Sequence, residues 1–190
     1  MALVICDMSI SLDGYVTGPN ASRTTPFGDG AGGLHDWMFE KPTDSDRQYL
    51  EDAIAQCGAI VMGRTSFDKT VNEWGPGGPL ASARSFVVTH HAPEGHADYT
   101  FVADGVASAI GQAREAAGDK WVGLHGATVM QQALPLGLVD EIYVHVVPLL
   151  LGGGTPLFAS LGSAIRLERM PTPHSPAVDH LRFRVVNQAG

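Results

Sequence analysis

Short apolar runs alternate along the chain with segments in which apolar residues recur at helical spacing. The runs have the length and composition of buried strands, and they are Leu3 to Met8, Ala59 to Met62, Phe86 to Thr89, Tyr99 to Val102, Trp121 to Leu124 and Ile142 to Val147. Helical spacing is carried by Leu50, Ala53, Ile54 and Cys57, by Val106, Ala109, Ile110 and Ala113, and by Val129 to Leu134. This alternation predicts an α/β fold in which right-handed crossovers flank a mostly parallel, twisted sheet with helices on both faces.

The pattern changes after Pro148. Gly152-Gly153-Gly154 opens a loop that permits close packing, and the segments Ile165 to Glu168 and Leu181 to Val185 alternate apolar and polar residues. Such alternation is typical of hairpin strands with one face in solvent, so we expect an antiparallel C-terminal edge on the sheet. We see no linker, repeat or low-complexity tract, and residues 1–190 are predicted to form a single domain.

Two local features concern the first long helix and the cysteines. Thr43 is followed three residues later by Asp46, which resembles a capping box with Asp in place of the usual Glu. Cys6 and Cys57 have apolar neighbours, so we interpret them as small core residues and not as a disulfide.

The formal charge of −8 argues against nucleic-acid and membrane-surface binding, because the averaged field repels phosphodiester backbones and anionic lipids. The 12 Lys and Arg residues are scattered, and Arg182 and Arg184 are expected on the solvated face of a strand. No apolar stretch approaches the roughly 20 residues that span a bilayer. The first residues carry no basic leader and reach an acid at Asp7, so we expect a cytoplasmic protein with a small-molecule partner.

Four motif segments follow one another between residues 3 and 185. They are Ser9 to Pro19 (SISLDGYVTGP), Val61 to Phe67 (VMGRTSF), Gly123 to Thr128 (GLHGAT), and Gly137 to Ile142 (GLVDEI) continuing to Leu149 to Phe158 (LLLGGGTPLF). In this order they resemble the dihydrofolate-reductase-like family, most closely the branch related to the reductase domain of the bifunctional riboflavin-biosynthesis deaminase-reductase. The resemblance implies a dihydrofolate-reductase-like fold, NADPH as cofactor and reduction of a small substrate.

The VMGRTSF segment also has a physical interpretation of its own. A strand that ends at Gly63 and turns into a helix presents unpaired N–H groups and the positive helix end to an anion, and Arg64 adds a permanent charge. The resemblance implies that Arg64 and Ser66 contact the phosphates of NADPH, with Thr65 between them as a further backbone donor. Taken without the resemblance, the same residues are explained by a surface arginine and a helix cap.

Three further places are implied to contact the cofactor. Thr89 and His90 follow a strand where the family holds the adenosine end, and Val16 and Thr17 would line the nicotinamide. The turn formed by His125, Gly126, Ala127 and Thr128 would let backbone approach the pyrophosphate. The family usually has consecutive glycines there, and this chain departs from that pattern at His125.

The histidines His90, His91 and His96 do not predict a metal site. Neighbouring residues on a strand point to opposite faces, and His96 lies beyond a turn. Solvated loop histidines explain the same positions.

Hydride transfer also needs a proton, and two residues are candidates for supplying it. The resemblance implies a carboxylate from the first helix region, which here is Asp36. The resemblance also implies that the strand carrying His145 faces the substrate, and a histidine titrates near neutrality. An exposed surface acid and a packed sheet histidine are the alternatives. Asp13, before Gly14, is interpreted as a turn residue.

The sequence therefore predicts an NADPH-dependent oxidoreductase that acts on a small, pterin- or pyrimidine-like heterocycle. One alternative is a pyrimidine reductase of riboflavin biosynthesis, although the sequence contains no His/Cys zinc signature of a deaminase. Another is a non-catalytic nucleotide-binding protein that retains the fold. The apolar residues Val144, Val146 and Leu149 to Leu151 make a homodimer the expected assembly.

Overall fold

A computed structural model of the chain describes residues 1–186 and contains an eight-stranded sheet. The strands, numbered along the chain, are β1 (Val4–Ser11), β2 (Tyr15–Thr17), β3 (Cys57–Gly63), β4 (Arg84–Val88), β5 (Tyr99–Val102), β6 (Trp121–His125), β7 (Glu141–Val147), β8 (Thr155–Pro156), β9 (Arg166–Met170) and β10 (Asp179–Val186). The order across the sheet is β5-β4-β3-β6-β1-β7-β10-β9, and β2 pairs separately with β8.

The helices connect successive strands. They are α1 (Asp36–Phe39), which continues a 3-10 helix (Ala31–His35), and α2 (Asp44–Gln56), α3 (Arg64–Trp74), α4 (Val106–Ala117) and α5 (Ala127–Ala133). The last of these begins two residues before the predicted start, because the turn at Gly126 leads directly into it.

Six neighbouring strands, from β5 to β7 across the sheet, are parallel, and β10 and β9 extend the sheet antiparallel beyond β7. This arrangement confirms the mostly parallel sheet with an antiparallel C-terminal edge. Because parallel strands end at the same edge, the segments that follow β3, β4 and β6 meet there. That edge is where open α/β sheets bind ligands.

Helices cover both faces of the sheet, as the alternation predicts. The main core joins Val61 of β3 to Ile110 of α4 and Met130 of α5. The neighbouring residue of β3, Met62, belongs to a second cluster with Phe67 of α3. Since successive strand residues point to opposite faces, α3 lies on the other face from α4 and α5.

The structure confirms the cap of α2 and corrects its buried face. Thr43 Oγ1 accepts the Asp46 N–H, and the Asp46 carboxylate accepts the Thr43 N–H. Ile54, expected to be buried, is 45% exposed, and Tyr49 is buried instead. The helix packs through Tyr49, Leu50 and Ala53 on the cluster that contains Trp37, which leaves Ile54 beside that face, and Cys57 already belongs to β3.

Both cysteines are buried and neither is in a disulfide, as expected of core residues. Among the helices of residues 1–186, none has the length and apolar character required to span a bilayer.

The glycine-rich loop after β7 packs tightly on the segment after β1. A β-carbon on Gly154 would lie 1.9 Å from the carbonyl oxygen of Thr17, so only glycine permits this approach. The Asp13 carboxylate accepts N–H bonds from Leu151 at 3.1 Å and Gly152 at 2.7 Å. Asp13 therefore links two loops, in agreement with its interpretation as a turn residue.

Candidate functional site

A cleft of about 460 Å³ opens at the carboxyl ends of β3 and β4. Seven of the residues predicted to bind the cofactor line it, namely Gly63, Arg64, Thr65, Ser66, Thr89, His90 and Thr128. These residues come from three separate segments of the sequence. The fold therefore brings them together on one surface.

Three helices that line this cleft each begin directly after a glycine. The residues that precede α3, α4 and α5 are Gly63, Gly105 and Gly126, and within the described chain none of the three helix starts has a side-chain cap. Each first turn therefore leaves backbone N–H groups free for an external acceptor. Free N–H groups at a helix start, together with the helix dipole, favour an anion such as phosphate.

Arg64 is held in place by the protein at the mouth of the cleft. Its Nε donates to Asp68 Oδ1 at 2.9 Å, and its Nη1 donates to the His91 carbonyl oxygen at 2.6 Å. The side chain is 35% exposed, and Arg23 contacts the same Asp68 oxygen at 3.1 Å. Asp68 therefore orients a guanidinium group that keeps part of its surface accessible to a ligand.

The predicted turn residues lie immediately beside the start of α3. A β-carbon on Gly126 would lie 2.3 Å from Ser66 Oγ, so the backbone of this turn is in direct contact with the Ser66 side chain. Ala127 is buried in the main core, whereas Thr128 is exposed in the cleft. The imidazole of His125 packs edge-on against Trp74, with ring centroids 4.8 Å apart.

Val16 and Thr17 are placed apart from the residues that line the cleft. Val16 is buried in the main core, and the Thr17 hydroxyl donates to Thr155 Oγ1 at 2.9 Å. Their contact with the nicotinamide stays a prediction. Among the described residues, no group of three or more histidine, cysteine or acidic side chains is arranged to hold a metal ion.

The two residues predicted to supply a proton lie in different environments. Asp36 is exposed at the start of α1. His145 is buried on β7, with only 3% of its side chain exposed. The buried position belongs to a continuous hydrogen-bonded chain of titratable groups.

This polar chain consists of Asp46, His180, His145 and Asp7, in that order. Asp46 Oδ1 lies 3.0 Å from His180 Nε2, the two Nδ1 atoms of His180 and His145 lie 2.7 Å apart, and His145 Nε2 lies 2.7 Å from Asp7 Oδ1. The Tyr49 hydroxyl donates to the other oxygen of Asp7. The polar chain therefore crosses from α2 through β10 and β7 to β1.

Aromatic side chains enclose the polar chain. The Trp37 ring lies 4.6 Å from that of His145 and 5.0 Å from that of His180, and its Nε1 donates to Ser9 Oγ at 3.0 Å. Tyr49 stacks on His180 with centroids 5.3 Å apart. Water is thereby kept from the inner part of the polar chain, and each hydrogen bond in it is correspondingly strong.

Burial and hydrogen bonding have opposite effects on the pKa values of the two carboxyl groups of the polar chain, Asp7 and Asp46. Burial alone raises the pKa of Asp7, but His145, Tyr49 and Arg182 together hold that pKa below its usual value. The pKa of Asp46 is also lowered, because the bonds from His180, Thr43 and Ser175 outweigh its burial. Both groups are therefore carboxylates at neutral pH.

The histidines near the polar chain are held neutral mainly by burial. Burial lowers the pKa of His180 despite the opposing effect of Asp46. The pKa values of His35 and His125 fall to about 4 for the same reason, with a smaller contribution from a neighbouring histidine in each case. Their Nδ1 atoms are buried without a hydrogen-bond partner among the described residues.

Arg182 was expected on a solvated strand face, and this prediction was wrong. Its guanidinium carbon lies 5.0 Å from the ring centroid of Tyr49 and 4.6 Å from that of Tyr143. The Arg182 guanidinium stacks on the rings of Tyr49 and Tyr143, because α2 covers this part of the sheet. The alternation of apolar and polar residues along β10 does not show that a helix covers its polar face.

Sequence reasoning missed three members of the polar chain, which are Asp7, Asp46 and His180. One signal was present for Asp7, since an acid in the middle of a buried strand requires a partner. Asp46 was recognised only as a helix cap. His180 carried no such signal, because its partners are 35 and 134 residues away in the sequence.

This chain is similar to known proteins over most of its length. The family model described as the RibD C-terminal domain matches residues 2–175. The Bacillus subtilis (strain 168) uncharacterized protein YyaP is 26% identical over 184 residues, which covers 89% of this chain and 87% of that protein.

Two solved structures share the fold. A candidate riboflavin biosynthesis protein from Shewanella sp. PV-4 superposes with a TM-score of 0.73 at 22% identity, over 98% of this chain and all of the other. Dihydrofolate reductase from Enterococcus faecalis, solved with NADP(H), superposes with a TM-score of 0.61 at 12% identity, over 97% of each chain. The fold is accordingly dihydrofolate-reductase-like, as the motif segments predicted.

Proposed function

The chain belongs to the RibD C-terminal domain family, and on that basis we propose that it is an NADPH-dependent reductase of a small pyrimidine- or pterin-like heterocycle. The reductase character of the family supports the reaction class. The cofactor and the substrate are inferred from the residues of this chain.

One observation carries the proposal. Predicted cofactor residues from three segments line a single cleft at the carboxyl edge of the sheet, beside the uncapped starts of α3, α4 and α5. Three helix starts with free N–H groups fit a ligand with several phosphates. NADPH has such phosphates.

The residues of the cleft have separate roles in this proposal. The first turn of α3, from Arg64 to Ser66, and the turn at Gly126 hold the pyrophosphate, and the Arg64 guanidinium pairs with a phosphate. Thr89 and His90 hold the adenosine end, while Val16 and Thr17 face the nicotinamide. When bound, the reduced nicotinamide supplies a hydride to the substrate.

The test compares NADPH with NADH by thermal shift and isothermal titration. We expect NADPH to raise the melting temperature more, because the extra 2′-phosphate gains charge-assisted bonds that NADH lacks. Equal melting-temperature shifts with NADPH and NADH would show that the 2′-phosphate is not contacted. No shift with either would show that neither is the cofactor. NADPH oxidation is then followed with a panel of pterins, pyrimidines and quinones.

A pyrimidine reductase of riboflavin biosynthesis is the second candidate, favoured by the family match. It predicts turnover of a 5-amino-6-ribosylaminouracil-type substrate in preference to pterins. Binding of NADPH without turnover of any panel substrate would instead favour a nucleotide-binding protein that retains the fold.

We also propose that residues 1–190 form a single cytoplasmic domain.

We propose a homodimer whose contact surface is smaller than the apolar run from Val144 to Leu151 suggests. Val144 is buried in the core and Val146 packs against it, so neither is available to a partner. Leu150 is 69% exposed and remains the candidate contact. Sedimentation of the wild type and of Leu150→Ser tests this assembly.

A further inference from the structure

A second cavity, which we call the amino-edge cavity, lies at the opposite edge of the sheet from the cofactor cleft. It has a volume of about 540 Å³ and opens between α2 and the amino ends of β1 and β6, beside Met1 to Leu3 and Gly118 to Trp121. Ile5 in its wall is level with Ile60 of β3, because both pair with the same residue of β6. The cleft residue Gly63 lies three residues further along β3, about 10 Å at the rise of a strand. Within residues 1–186 the two sites share no lining residue.

Arg182 brings a positive charge to the wall of the amino-edge cavity. Its side chain is half-buried, and its guanidinium carbon lies over the rings of Tyr49 and Tyr143. Its Nε is buried without a hydrogen-bond partner among the described residues. A charged group that leaves water is normally paired with an opposite charge. The Arg182 guanidinium has aromatic faces as neighbours in place of a carboxylate.

This state distinguishes Arg182 from the other arginines of residues 1–186. Five of them contact a carboxylate at 3.3 Å or less, namely Arg23, Arg47, Arg64, Arg114 and Arg184. The three others, Arg84, Arg166 and Arg169, are exposed to water. Because Arg182 is partly withdrawn from water, an anion beside it gains more electrostatic energy than one beside an exposed arginine.

The acids nearest to Arg182 in the sheet already have other partners. Both oxygens of Asp7 are taken, one by His145 and the other by the Tyr49 hydroxyl. The Tyr143 hydroxyl donates to Glu141. The fold therefore leaves the guanidinium of Arg182 available to an anion that enters the cavity.

The rest of the cavity limits the kind of anion that fits. Beside the two tyrosines, Trp121 and Ile5 add aromatic and aliphatic surface. Asp52, Asp119 and Lys120 are exposed where the cavity meets solvent, and together they carry one net negative charge. A single half-buried cation behind a negative rim favours a ligand with one negative charge over a dianion.

We propose that the amino-edge cavity is a second ligand site and that it binds a small aromatic monocarboxylate. The carboxylate pairs with the guanidinium of Arg182, and the ring packs against Trp121 and Ile5. The cavity volume lies within the range of pockets that enclose small molecules. This site is independent of the proposed reductase function, and a ligand here leaves the cofactor cleft free.

The first experiment compares three probes of one shape by isothermal titration. We expect 2-naphthoate to bind at one saturable site, and the neutral 2-naphthamide to bind about 10- to 100-fold more weakly, the value of a hydrogen bond to a charged group. The dianion 2-naphthyl phosphate should also bind more weakly than 2-naphthoate. Equal affinity for the acid and the amide would overturn the charge pairing, and tighter binding of the phosphate would overturn the monocarboxylate.

The second experiment locates the bound probe. Arg182→Gln should weaken 2-naphthoate binding about 10- to 100-fold, whereas the matched control Arg184→Gln, an exposed arginine of the same strand, should bind as the wild type does. In the wild type, nuclear Overhauser effects should join the naphthoate ring protons to the Trp121 ring. They decide the site even where Arg182→Gln does not fold. Unchanged affinity in a folded Arg182→Gln, or no such effects in the saturated wild type, would overturn the proposal.

The third experiment separates this site from the cofactor cleft. With NADPH at saturation, the affinity for 2-naphthoate should be unchanged, because the two sites share no lining residue among those described. Competition between the two would place the carboxylate in the cleft and overturn a second site. If NADPH does not bind at all, the reductase function fails, and the 2-naphthoate titrations still decide the amino-edge cavity.

Discussion

Gly126 and Ser66 are in direct contact, so that a β-carbon on Gly126 would lie 2.3 Å from Ser66 Oγ. The contact joins the turn before α5 to the first turn of α3, and both helix starts adjoin the cleft. Gly126 also has a φ of 96°, in the region that favours glycine. The relative position of these two helix starts therefore depends on the absence of a side chain at Gly126.

We expect Gly126→Ala to destabilise the protein by about 1–3 kcal/mol, the cost of a strained backbone at a non-glycine residue, and to weaken NADPH binding. Urea unfolding and isothermal titration measure the two effects. Gly111→Ala is the matched control, because Gly111 lies in α4 with no atom near its β-position. It should stabilise the helix by about 0.5–1 kcal/mol. Unchanged stability and affinity in Gly126→Ala would contradict the close contact.

Arg64→Ala should weaken NADPH binding by about 1.5–3 kcal/mol, as expected for a charge-assisted bond. Arg64→Lys should recover only part of this loss, since lysine lacks the planar fork that binds phosphate at two points. Arg47→Ala, at an exposed position of α2, is the control and should bind normally. Titration curves identical to wild type in both Arg64 variants would exclude a phosphate contact.

Stability should fall as the pH drops from about 6.5 towards 4. His35 and His125 have pKa values of about 4 in the folded protein because of burial, and about 6.5 when unfolded. The unfolded state therefore binds protons first on acidification, which costs on the order of 2 kcal/mol for each histidine.

His125→Gln should remove the contribution of His125 to this loss of stability at acid pH. Urea unfolding at several pH values measures the free energy of unfolding. His174→Gln, at an exposed position, should leave the slope unchanged. A wild-type slope in His125→Gln would show that His125 protonates freely in the folded state.

Chelation should leave both the melting temperature and NADPH binding unchanged. His90 and His91 are exposed, and among the described residues no side-chain group is arranged to hold a metal. A melting temperature that fell with EDTA and recovered with zinc would show that the histidines bind metal.

Local patterns were sufficient for most of the fold and for the local structure of part of the candidate site. The strand and helix alternation predicted the parallel sheet, and the VMGRTSF segment predicted a helix start at Arg64. These predictions succeed because burial periodicity and turn geometry act over a few neighbouring residues. The predicted face of α2 was wrong at Ile54, because the helix packs through Tyr49 on the cluster of Trp37 and Val178, and the element that covers a helix is set by the tertiary structure.

The sequence by itself determined the strand-to-helix turn of the candidate phosphate site, since Gly63, Arg64 and Ser66 lie within four consecutive residues. Only the tertiary structure decided that Asp7, His145, His180 and Asp46 form one polar chain. Their contacts join residues 35 to 138 positions apart, and such pairings depend on strand order and register across β1, β7 and β10. Buried polar groups bond to whatever the packing brings within reach, so their partners are a property of the assembled core.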